Sequence, residues 1–331
     1  MPAPPLRLPP VVYDDGLASF ITLLGLHAGR AVGQPLVLDM QEVRFYTPGA
    51  IAGLLAILHR WVREGREVRL QNAEFAPAFG YLQRMDFFTL CGLNLPEYFR
   101  RHEAHGRFVT LRRIDSSLTG QVDTVAAEIA RCLYPDQADC DDPAATGPHD
   151  LVLYAAGELI NNVLQHARAG GFTLAQVYPQ LGMVRVAIAD FGIGIRGSFE
   201  ETRPPFWDDA ASDLDTVRVA LEPKVSSKLH VTSPWGEGVN VGVGLSILKE
   251  LARDAEGIFT LAIQAGFHQW NHSERHDFPS ELSLPVSYPG TVCAVQVNQS
   301  KLVDQQATLM RAKTRLHLLD NSAPFDDLFE P

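Results

Sequence analysis

Three polar residues are spaced four apart within one strongly apolar segment: Glu158, Asn162 and His166. On a helix with about 3.6 residues per turn these side chains share one face, and the aliphatic residues between them form a packing face. A carboxamide oxygen one turn from a carboxylate suits Mg²⁺, a hard cation that keeps water and phosphate as its other ligands. The carboxylate can then orient or deprotonate a nucleophile. The alternative is a solvated polar face of an amphipathic helix.

A second group follows a β-branched strand and reads D-F-G-I-G-I from Asp190 to Ile195. A carboxylate at a strand end can accept a hydrogen bond from an amino group, and two glycines let the backbone approach a flat ring. This combination fits recognition of adenine. Taken alone, the motif is also typical of an ordinary turn after a strand.

A third group is rich in glycine and runs from Gly236 to Leu245 into a predicted helix. Glycines that open a helix expose backbone N–H groups at the positive end of its dipole, an arrangement suited to phosphate. Taken alone, this string also fits a flexible loop.

Two other features have weaker claims to chemistry. His268, His272 and His276 are four apart and would suit a metal if they were helical, but a polar insert between two strands favours surface residues. The terminal run from Phe325 to Phe329 is acidic and aromatic, and a frayed tail is a better interpretation than a docking motif.

Elements that alternate between strand and helix precede these groups. We predict strands at Leu36–Met40 and Val68–Gln71 and helices at Ala50–Arg63 and Pro77–Met85, followed by an amphipathic helix at Val122–Leu133. This order predicts a small α/β domain over residues 1–105 and a helix with linker over 106–149.

The second half of the chain is predicted to be a sheet covered by helices, interrupted by one long irregular segment. The predicted helices are Leu151–Arg168 and Val243–Ala252, and the predicted strands are Phe172–Tyr178, Val184–Asp190, Ile258–Gln264 and Thr291–Val297. We therefore place a second α/β domain at residues 150–300 and a tail at 301–331.

The amino-acid composition limits the classes of binding partner that we expect. The 331 residues are 46% hydrophobic and carry a formal net charge of −11, so the chain can bury a full core and broad affinity for nucleic acid is not expected. There is no long apolar run for a membrane span and no apolar stretch of a signal peptide at the start, which predicts a cytoplasmic protein. The four cysteines include no C-x-x-C pair and are expected to be reduced.

Taken together, the three groups resemble the N, G1 and G2 boxes of the GHKL ATPase superfamily over roughly residues 120–300. That superfamily includes DNA gyrase B subunits, heat-shock chaperones, histidine kinases, MutL proteins and anti-sigma-factor kinases. The resemblance implies a Bergerat-fold α/β sandwich, with a mixed sheet covered by helices, that holds ATP and Mg²⁺ between the helical layer and a mobile lid.

The resemblance also implies roles for individual residues. Asn162 would bind Mg²⁺ and Glu158 would be the general base. Asp190 would bind the adenine amino group, and Thr291, after Gly290, would support it through water. The remaining implied nucleotide contacts are Gly192, Gly194 and Ile195 at the base, Gly242, Gly244 and Leu245 at the phosphates, and Lys228 in a lid over residues 197–235. A solvated loop lysine is the alternative for Lys228.

The N-terminal α/β unit resembles a STAS domain, the fold of anti-sigma-factor antagonists. The resemblance rests on a Val-Leu-Asp strand and on a helix that begins at Thr47-Pro48-Gly49-Ala50. In that family the turn reads Asp-Ser-Ser-Gly with a phosphorylatable Ser, whereas here Tyr46 and Thr47 stand at the Asp and Ser positions. We therefore expect Thr47 to be a helix N-cap and not a phosphorylation site.

Two functions remain open at this stage. The first is a regulatory serine/threonine kinase of the anti-sigma type that acts on a protein partner, because STAS-like and GHKL modules fused in one chain would join the two halves of a partner-switching system. The sequence Ser-Ser-Lys at 226–228 resembles MutL-type lids and instead favours an ATP-gated module that associates, for example as a homodimer, and hydrolyses ATP slowly. A sensor histidine kinase fits least, because no convincing phosphoacceptor helix precedes Leu151. The fold alone does not separate the first two.

Overall fold

The first hundred residues alternate short parallel strands with helices. The computed structural model describes residues 4–30, 33–140, 146–225, 243–272, 280–302 and 305–318, and we call residues 4–105 the N-terminal unit. Its elements are β1 (Leu6–Arg7), β2 (Val11–Val12), α1 (Leu17–Arg30), β3 (Leu36–Asp39), β4 (Phe45–Tyr46), α2 (Pro48–Arg63), β5 (Val68–Gln71), α3 (Phe79–Arg84) and α4 (Phe87–Leu90). Strands β1, β3 and β5 form one parallel sheet in that order, and β2 pairs in parallel with β4.

Most predicted elements of the N-terminal unit are present, with one interruption. The helix expected over Pro77–Met85 begins only at Phe79, and a second short helix follows it. Asp86 separates the two because its backbone is left-handed, with φ of 62°, which a continuous helix does not allow.

Thr47 stands immediately before α2, at the N-cap position that the sequence predicts. Its side chain makes no capping hydrogen bond, however, and the residue is fully buried beside the Asp14 carboxylate. The N-cap expectation is therefore right for the position and wrong for the hydroxyl. Pro48 begins the helix instead, with a ring that already holds helical φ and with no N–H to satisfy.

The rest of the chain builds a larger sheet with its helices. Its elements are β6 (Phe108–Ile114), α5 (Val122–Leu133), α6 (Gly147–His166), β7 (Gly171–Tyr178), β8 (Met183–Asp190), α7 (Gly194–Thr202), α8 (Asp213–Ala220), α9 (Gly244–Asp254), β9 (Ile258–Asn271), β10 (Ser280–Asn298) and α10 (Gln305–Arg315). The strand order is β6-β7-β8-β10-β9, and each of these pairings is antiparallel. The expected mixed sheet is thus antiparallel, because β7 and β8 are consecutive strands joined by a short turn and β10 returns between β8 and β9.

Three parts of this half differ from expectation. Strand β6 lies in the region predicted to be helix and linker, and helices α7 and α8 lie in the region predicted to be irregular. The polar insert is largely an extension of β9 and β10. These elements are short or partly polar, so their apolar periodicity is too weak to identify them from sequence.

The histidine metal site is not formed by the described residues. His268 lies in strand β9, and His272 follows that strand directly, so about 13 Å separates positions four apart in this extended chain. His268 is also buried, with its ring against the Glu281 carboxylate at 3.3 Å, which corrects the expectation of a surface residue. His276 lies outside the described residues.

Both faces of the five-stranded sheet are buried. Along β8, Val184, Val186 and Ile188 face the core under α5, α6 and α9. Ala187 and Ala189 alternate with them and face the N-terminal unit. The period of two along a strand therefore divides one sheet between two hydrophobic cores.

Helix α2 is the element of the N-terminal unit that lies across the sheet, against β7, β8 and β10. A Cβ atom at Gly49 would lie 3.0 Å from the Ala294 side chain, so a glycine there allows close approach to β10. The Tyr288 hydroxyl donates to the Gly53 carbonyl oxygen over 3.2 Å. The N-terminal unit and the sheet therefore share one packed core.

A C-terminal helix completes the described fold. Arg315 of α10 forms ion pairs with Glu250 and Asp254 of α9, at 2.6 and 2.8 Å. The Phe325–Phe329 run lies outside the described residues. Within the described ranges, no helix combines the length and the apolar composition that crossing a bilayer requires.

Candidate functional site

Asp190 is the last residue of β8, and its side chain is almost completely buried, at 3% exposure. Its Oδ1 accepts a hydrogen bond from the Gly192 amide over 2.9 Å, and its Oδ2 accepts one from the Thr291 amide over 2.8 Å. Burial raises the pKa of Asp190 to about 6, and the hydrogen bonds from Gly192 and Thr291 oppose that rise. The carboxylate is thus fixed in orientation and ionised above that pH.

The turn after Asp190 depends on glycine. A Cβ atom at Gly192 would lie 1.6 Å from the Ala167 carbonyl oxygen, and Gly194 has φ of +63°, a region that favours glycine. The Ile195 amide donates to the Thr291 hydroxyl oxygen over 3.2 Å. Thr291 therefore supports both the carboxylate and the start of α7.

Helix α6 presents its polar stripe toward the same region. Burial raises the pKa of Glu158 to about 7. Its carboxylate lies against the first residue of α9, since a Cβ atom at Gly244 would lie 1.9 Å from Glu158 Oε2. One turn further along, Asn162 Nδ2 is buried without a hydrogen-bond partner among the described residues. An orphaned polar atom of this kind costs free energy unless a ligand or water satisfies it.

His166 ends the stripe. Its Nδ1 lies 2.9 Å from the Ser198 hydroxyl of α7, and the ring is buried. The stripe is therefore not a fully solvated face, because His166 is buried and Glu158 and Asn162 are half-buried.

One small cleft lies among these residues, and its interior measures about 20 Å³, room for roughly one water molecule. Its lining consists of Leu159, Asn162, Val163, His166, Ile188, Asp190, Ile195, Leu245, Thr291 and Cys293. Ligand clefts usually measure roughly 300–1,000 Å³, so this cleft would have to widen to hold a heterocyclic base. Residues from α6, β8, α7, α9 and β10 thus converge on one place.

The predicted site residues divide into four sets. The cleft is lined by Asn162, Asp190, Ile195, Leu245 and Thr291. A second set is the contacting pair Glu158 and Gly244. Gly192 and Gly194 shape the turn behind the cleft without lining it. The last set, Lys228 and Gly242, lies outside the described residues.

Sequence reasoning missed two neighbours of this site. Arg60 of α2 donates from Nη1 to the Gly192 carbonyl oxygen over 3.2 Å, although 132 residues separate the two in sequence. Cys293 of β10 lines the cleft, and burial raises its thiol pKa far above the ordinary value. Arg60 has only the signature of a basic residue in the last turn of a helix, which carries no information about a distant loop.

Within the described ranges, no group of three or more His, Cys, Asp or Glu side chains is arranged to hold a metal ion.

Comparison with known proteins gives one partial similarity. No protein-family model matches the chain, and no solved structure matches it. The chain is similar to drug sensory protein A of Synechocystis sp., with 29% identity over 133 residues. The match covers 34% of this chain and 20% of the relative, so this chain spans about a fifth of that relative's length.

Proposed function

We propose that residues 150–300 form an Mg²⁺·ATP-binding module of the Bergerat (GHKL) type and that the N-terminal unit is a STAS-like domain fused to it. The observation that carries this proposal is Asp190, a buried carboxylate that two backbone amides hold in the lining of a small cleft. Asn162 lines the same cleft, and Glu158 lies one turn away from it on the same helix. Three separate sequence groups thus supply one enclosed site.

Adenine recognition would rest on the unused lone pairs of the Asp190 carboxylate oxygens. A carboxylate has about four lone-pair positions, and the amides of Gly192 and Thr291 use two of them. The others can accept a hydrogen bond from the exocyclic amino group of a purine. The aliphatic side chains of Ile188, Ile195 and Leu245 would cover the flat faces of the ring.

The phosphate end would lie between α6 and the start of α9. Asn162 fits Mg²⁺, because its Nδ2 has no hydrogen-bond partner among the described residues and its Oδ1 is a hard ligand. A magnesium ion held there would neutralise phosphate charge, with water and phosphate oxygens as its other ligands.

Glu158 is suited to proton transfer. Burial raises its pKa to about 7, so near neutral pH the group exchanges readily between its carboxylate and carboxylic acid forms. A general base works best when its pKa lies near the working pH, and this buried carboxylate meets that requirement. Its role would be to take the proton of a water molecule or of a partner's hydroxyl group.

Within this class we favour a regulatory serine/threonine kinase that acts on a separate protein. Thr47, at the phosphorylatable position of STAS-like domains, is fully buried beside Asp14, so the fused unit does not offer that hydroxyl as a substrate. We therefore place the phosphoacceptor on a partner protein and not at Thr47. A partial similarity to a protein named for drug sensing is in keeping with a regulatory role.

The test incubates the purified full chain with γ-labelled ATP, Mg²⁺ and proteins encoded beside it. Label on serine or threonine of a partner supports the kinase. Label released as phosphate, together with ATP-dependent dimerisation, would instead identify an ATP-gated module. If calorimetry detects no Mg²⁺-dependent ATP binding by the wild-type chain, the proposed function is wrong. Glu158→Gln is the control, because labelling or phosphate release that persists in this variant would come from a contaminating kinase or phosphatase.

A further inference from the structure

The last turn of α2 contacts the turn that follows Asp190. Arg60 Nη1 donates to the Gly192 carbonyl oxygen over 3.2 Å, while its Nε donates to Glu64 Oε1 over 2.6 Å. The second contact, one helical turn along, orients the guanidinium group. An element of the N-terminal unit therefore reaches the backbone of the base-binding turn.

The same peptide unit is held from its other side. The Ile193 amide donates to the Ala167 carbonyl oxygen at the end of α6, over 3.0 Å. The peptide between residues 192 and 193 thus lies between α6 and α2, with one hydrogen bond to each. Since the Gly192 amide also donates to Asp190, movement of this peptide would reorient the carboxylate.

The N-terminal unit also holds Phe191, the residue directly after Asp190. Its ring is buried, 5.5 Å from the His59 ring and 5.5 Å from the Phe172 ring, and the Arg63 guanidinium lies over it at 5.8 Å. His59 is itself fixed, because its Nε2–H donates to the Leu90 carbonyl oxygen over 2.8 Å. Two consecutive residues after Asp190 are therefore held by one turn of α2.

We propose that Arg60 is a positioning residue for the nucleotide site, and that α2 couples the packing of the N-terminal unit to nucleotide affinity by holding the Asp190–Gly194 turn. This inference rests on the proposed ATP-binding function. Arg60 acts through Gly192 and Asp190, without touching the nucleotide. A protein that binds the N-terminal unit and shifts α2 changes nucleotide affinity, and nucleotide changes that protein's affinity by the same factor.

The charge of Arg60 predicts a pH dependence that would not change if this residue had only a packing role. The positive charge of Arg60 opposes the effect of burial on the Asp190 pKa. The other ionisable groups near Asp190 in the described residues are Tyr288 of β10, which interacts with it, and His166 and Cys293, which line the same cleft. Removal of the arginine charge should therefore raise the pH at which nucleotide affinity declines.

The experiment compares Arg60→Met, Arg60→Lys and the matched control Arg69→Met with wild type. Arg69 is an exposed arginine of β5 whose ion pair is with Glu67, far in sequence from the turn. Calorimetry measures affinity for Mg²⁺ and a non-hydrolysable ATP analogue between pH 5.5 and 8. Hydrogen exchange of a peptide covering residues 190–196 is measured without nucleotide.

We expect Arg60→Met to weaken analogue binding by about tenfold at pH 7, the lower end for a charge-assisted hydrogen bond because the effect is indirect. Its affinity should decline at higher pH than in wild type, and exchange in the turn should be faster. Arg60→Lys should keep the wild-type pH dependence with a smaller loss, and Arg69→Met should match wild type in every measurement.

Two results would overturn the inference, and they differ from failure of the proposed function. If wild type binds the analogue and Arg60→Met binds it equally at each pH, Arg60 does not position the site. If exchange in the turn is unchanged without nucleotide, α2 does not hold the turn, whatever the affinity. If wild type binds no analogue although Arg60→Met accelerates exchange, the contact is real, the proposed function is wrong, and the coupling to nucleotide falls with it.

Discussion

Two buried carboxyl groups of the site differ in how the protein holds them. Asp190 accepts hydrogen bonds from two backbone amides, and its pKa rises only to about 6. Glu158 lies against Gly244 at the start of α9, and burial raises its pKa to about 7. Separate environments that give two carboxyl groups different protonation behaviour are how one site assigns recognition to one and proton transfer to the other.

Replacement of Asp190 by Asn should weaken ATP binding by about ten- to a hundredfold, or roughly 1.5–3 kcal/mol, because the amide lacks the charge and one acceptor oxygen. Wild-type affinity should also fall as pH drops through about 6, where the carboxylate becomes protonated. The affinity of Asp190→Asn should not show this decline. Calorimetry over pH 5–8 measures both effects, and unchanged affinity in a folded Asp190→Asn protein would remove this residue from the site.

Glu158 and Asn162 should separate turnover from binding. Glu158→Ala should keep Mg²⁺·ATP bound while slowing phosphoryl transfer about 10²–10⁴-fold, the contribution of a general base. Asn162→Ala should instead lose the Mg²⁺-dependent part of the affinity. Calorimetry with and without Mg²⁺, alongside phosphate release, distinguishes them. Wild-type turnover by Glu158→Ala would exclude its catalytic role, and complete loss of binding would assign it to the metal site or the fold.

The raised pKa of Glu158 also predicts how stability depends on pH. A carboxyl group whose pKa rises from 4.5 to about 7 on folding favours the folded state when protonated, so its contribution is full below pH 4.5 and is lost as pH rises through 7. The free energy of unfolding should therefore fall by up to about 3 kcal/mol across this window. Glu158→Gln should remove that loss, measured by urea unfolding at pH 5 and 7.5. The half-exposed Glu42→Gln serves as the control, and an equal pH dependence in wild type and Glu158→Gln would contradict the prediction.

At the scale of elements, the junction between α6 and α9 allows no side chain at residue 244. Gly244→Ala would bring a methyl group within 1.9 Å of Glu158 Oε2, so the carboxylate must move. We expect turnover to fall at least tenfold, with a smaller change in nucleotide affinity. The matched control is Gly157→Ala, next to Glu158, whose Cβ would meet only Ala126 at 3.9 Å. Equal turnover by the two variants would show that the position of the carboxylate is not critical.

Elements with strong local patterns could be predicted from sequence, and those defined by distant contacts could not. The apolar spacing of α6 and α9 and the β-branched runs of β7 and β8 indicate their type and approximate bounds. Strand β6 was missed because its pattern is interrupted by the consecutive arginines Arg112 and Arg113. The end of β9 was missed because His268 and Gln269 are buried polar residues, whose types predict exposure.

The same limit applies to the site. Asp190, Asn162 and Glu158 lie in local motifs whose residue types already indicate chemistry. Arg60 reaches Gly192 across 132 positions, and only the fold brings them together. Sequence reasoning therefore named residues that the fold brings close together and missed Arg60, which contacts the turn after Asp190 from another part of the chain.

At the scale of the whole molecule, the N-terminal unit covers one face of the five-stranded sheet. Phe172, Leu174 and Val292 of the sheet share a core with α1 and α2, and Asp14 forms a buried ion pair with Arg185 of β8 at 3.2 Å. Removing the unit would expose these apolar side chains to water, which is costly. The two domains of the sequence prediction therefore bury apolar surface against each other.

A chain limited to residues 106–331 should therefore aggregate or bind a hydrophobic dye, in contrast to the full chain. Co-expression with residues 1–105 should restore a monodisperse complex, because the two faces are complementary. Size-exclusion chromatography and dye fluorescence measure the difference. A monomeric, cooperatively folding 106–331 fragment that binds ATP like the full chain would show that the second face needs no cover.

Helix α2 begins directly after Thr47, which lies beside the Asp14 carboxylate, and ends at Arg63, shortly after His59 and Arg60. Its 16 residues correspond to a rod about 24 Å long. A hydrogen-bonded helix resists bending far more than a loop does, so tilting α2 about the contacts of Gly49 and Gly53 in its first two turns would displace its last turn. A small displacement of α2 near the first strands of the chain would therefore move Arg60 and the turn it contacts, at the rim of the cleft on the far side of the sheet.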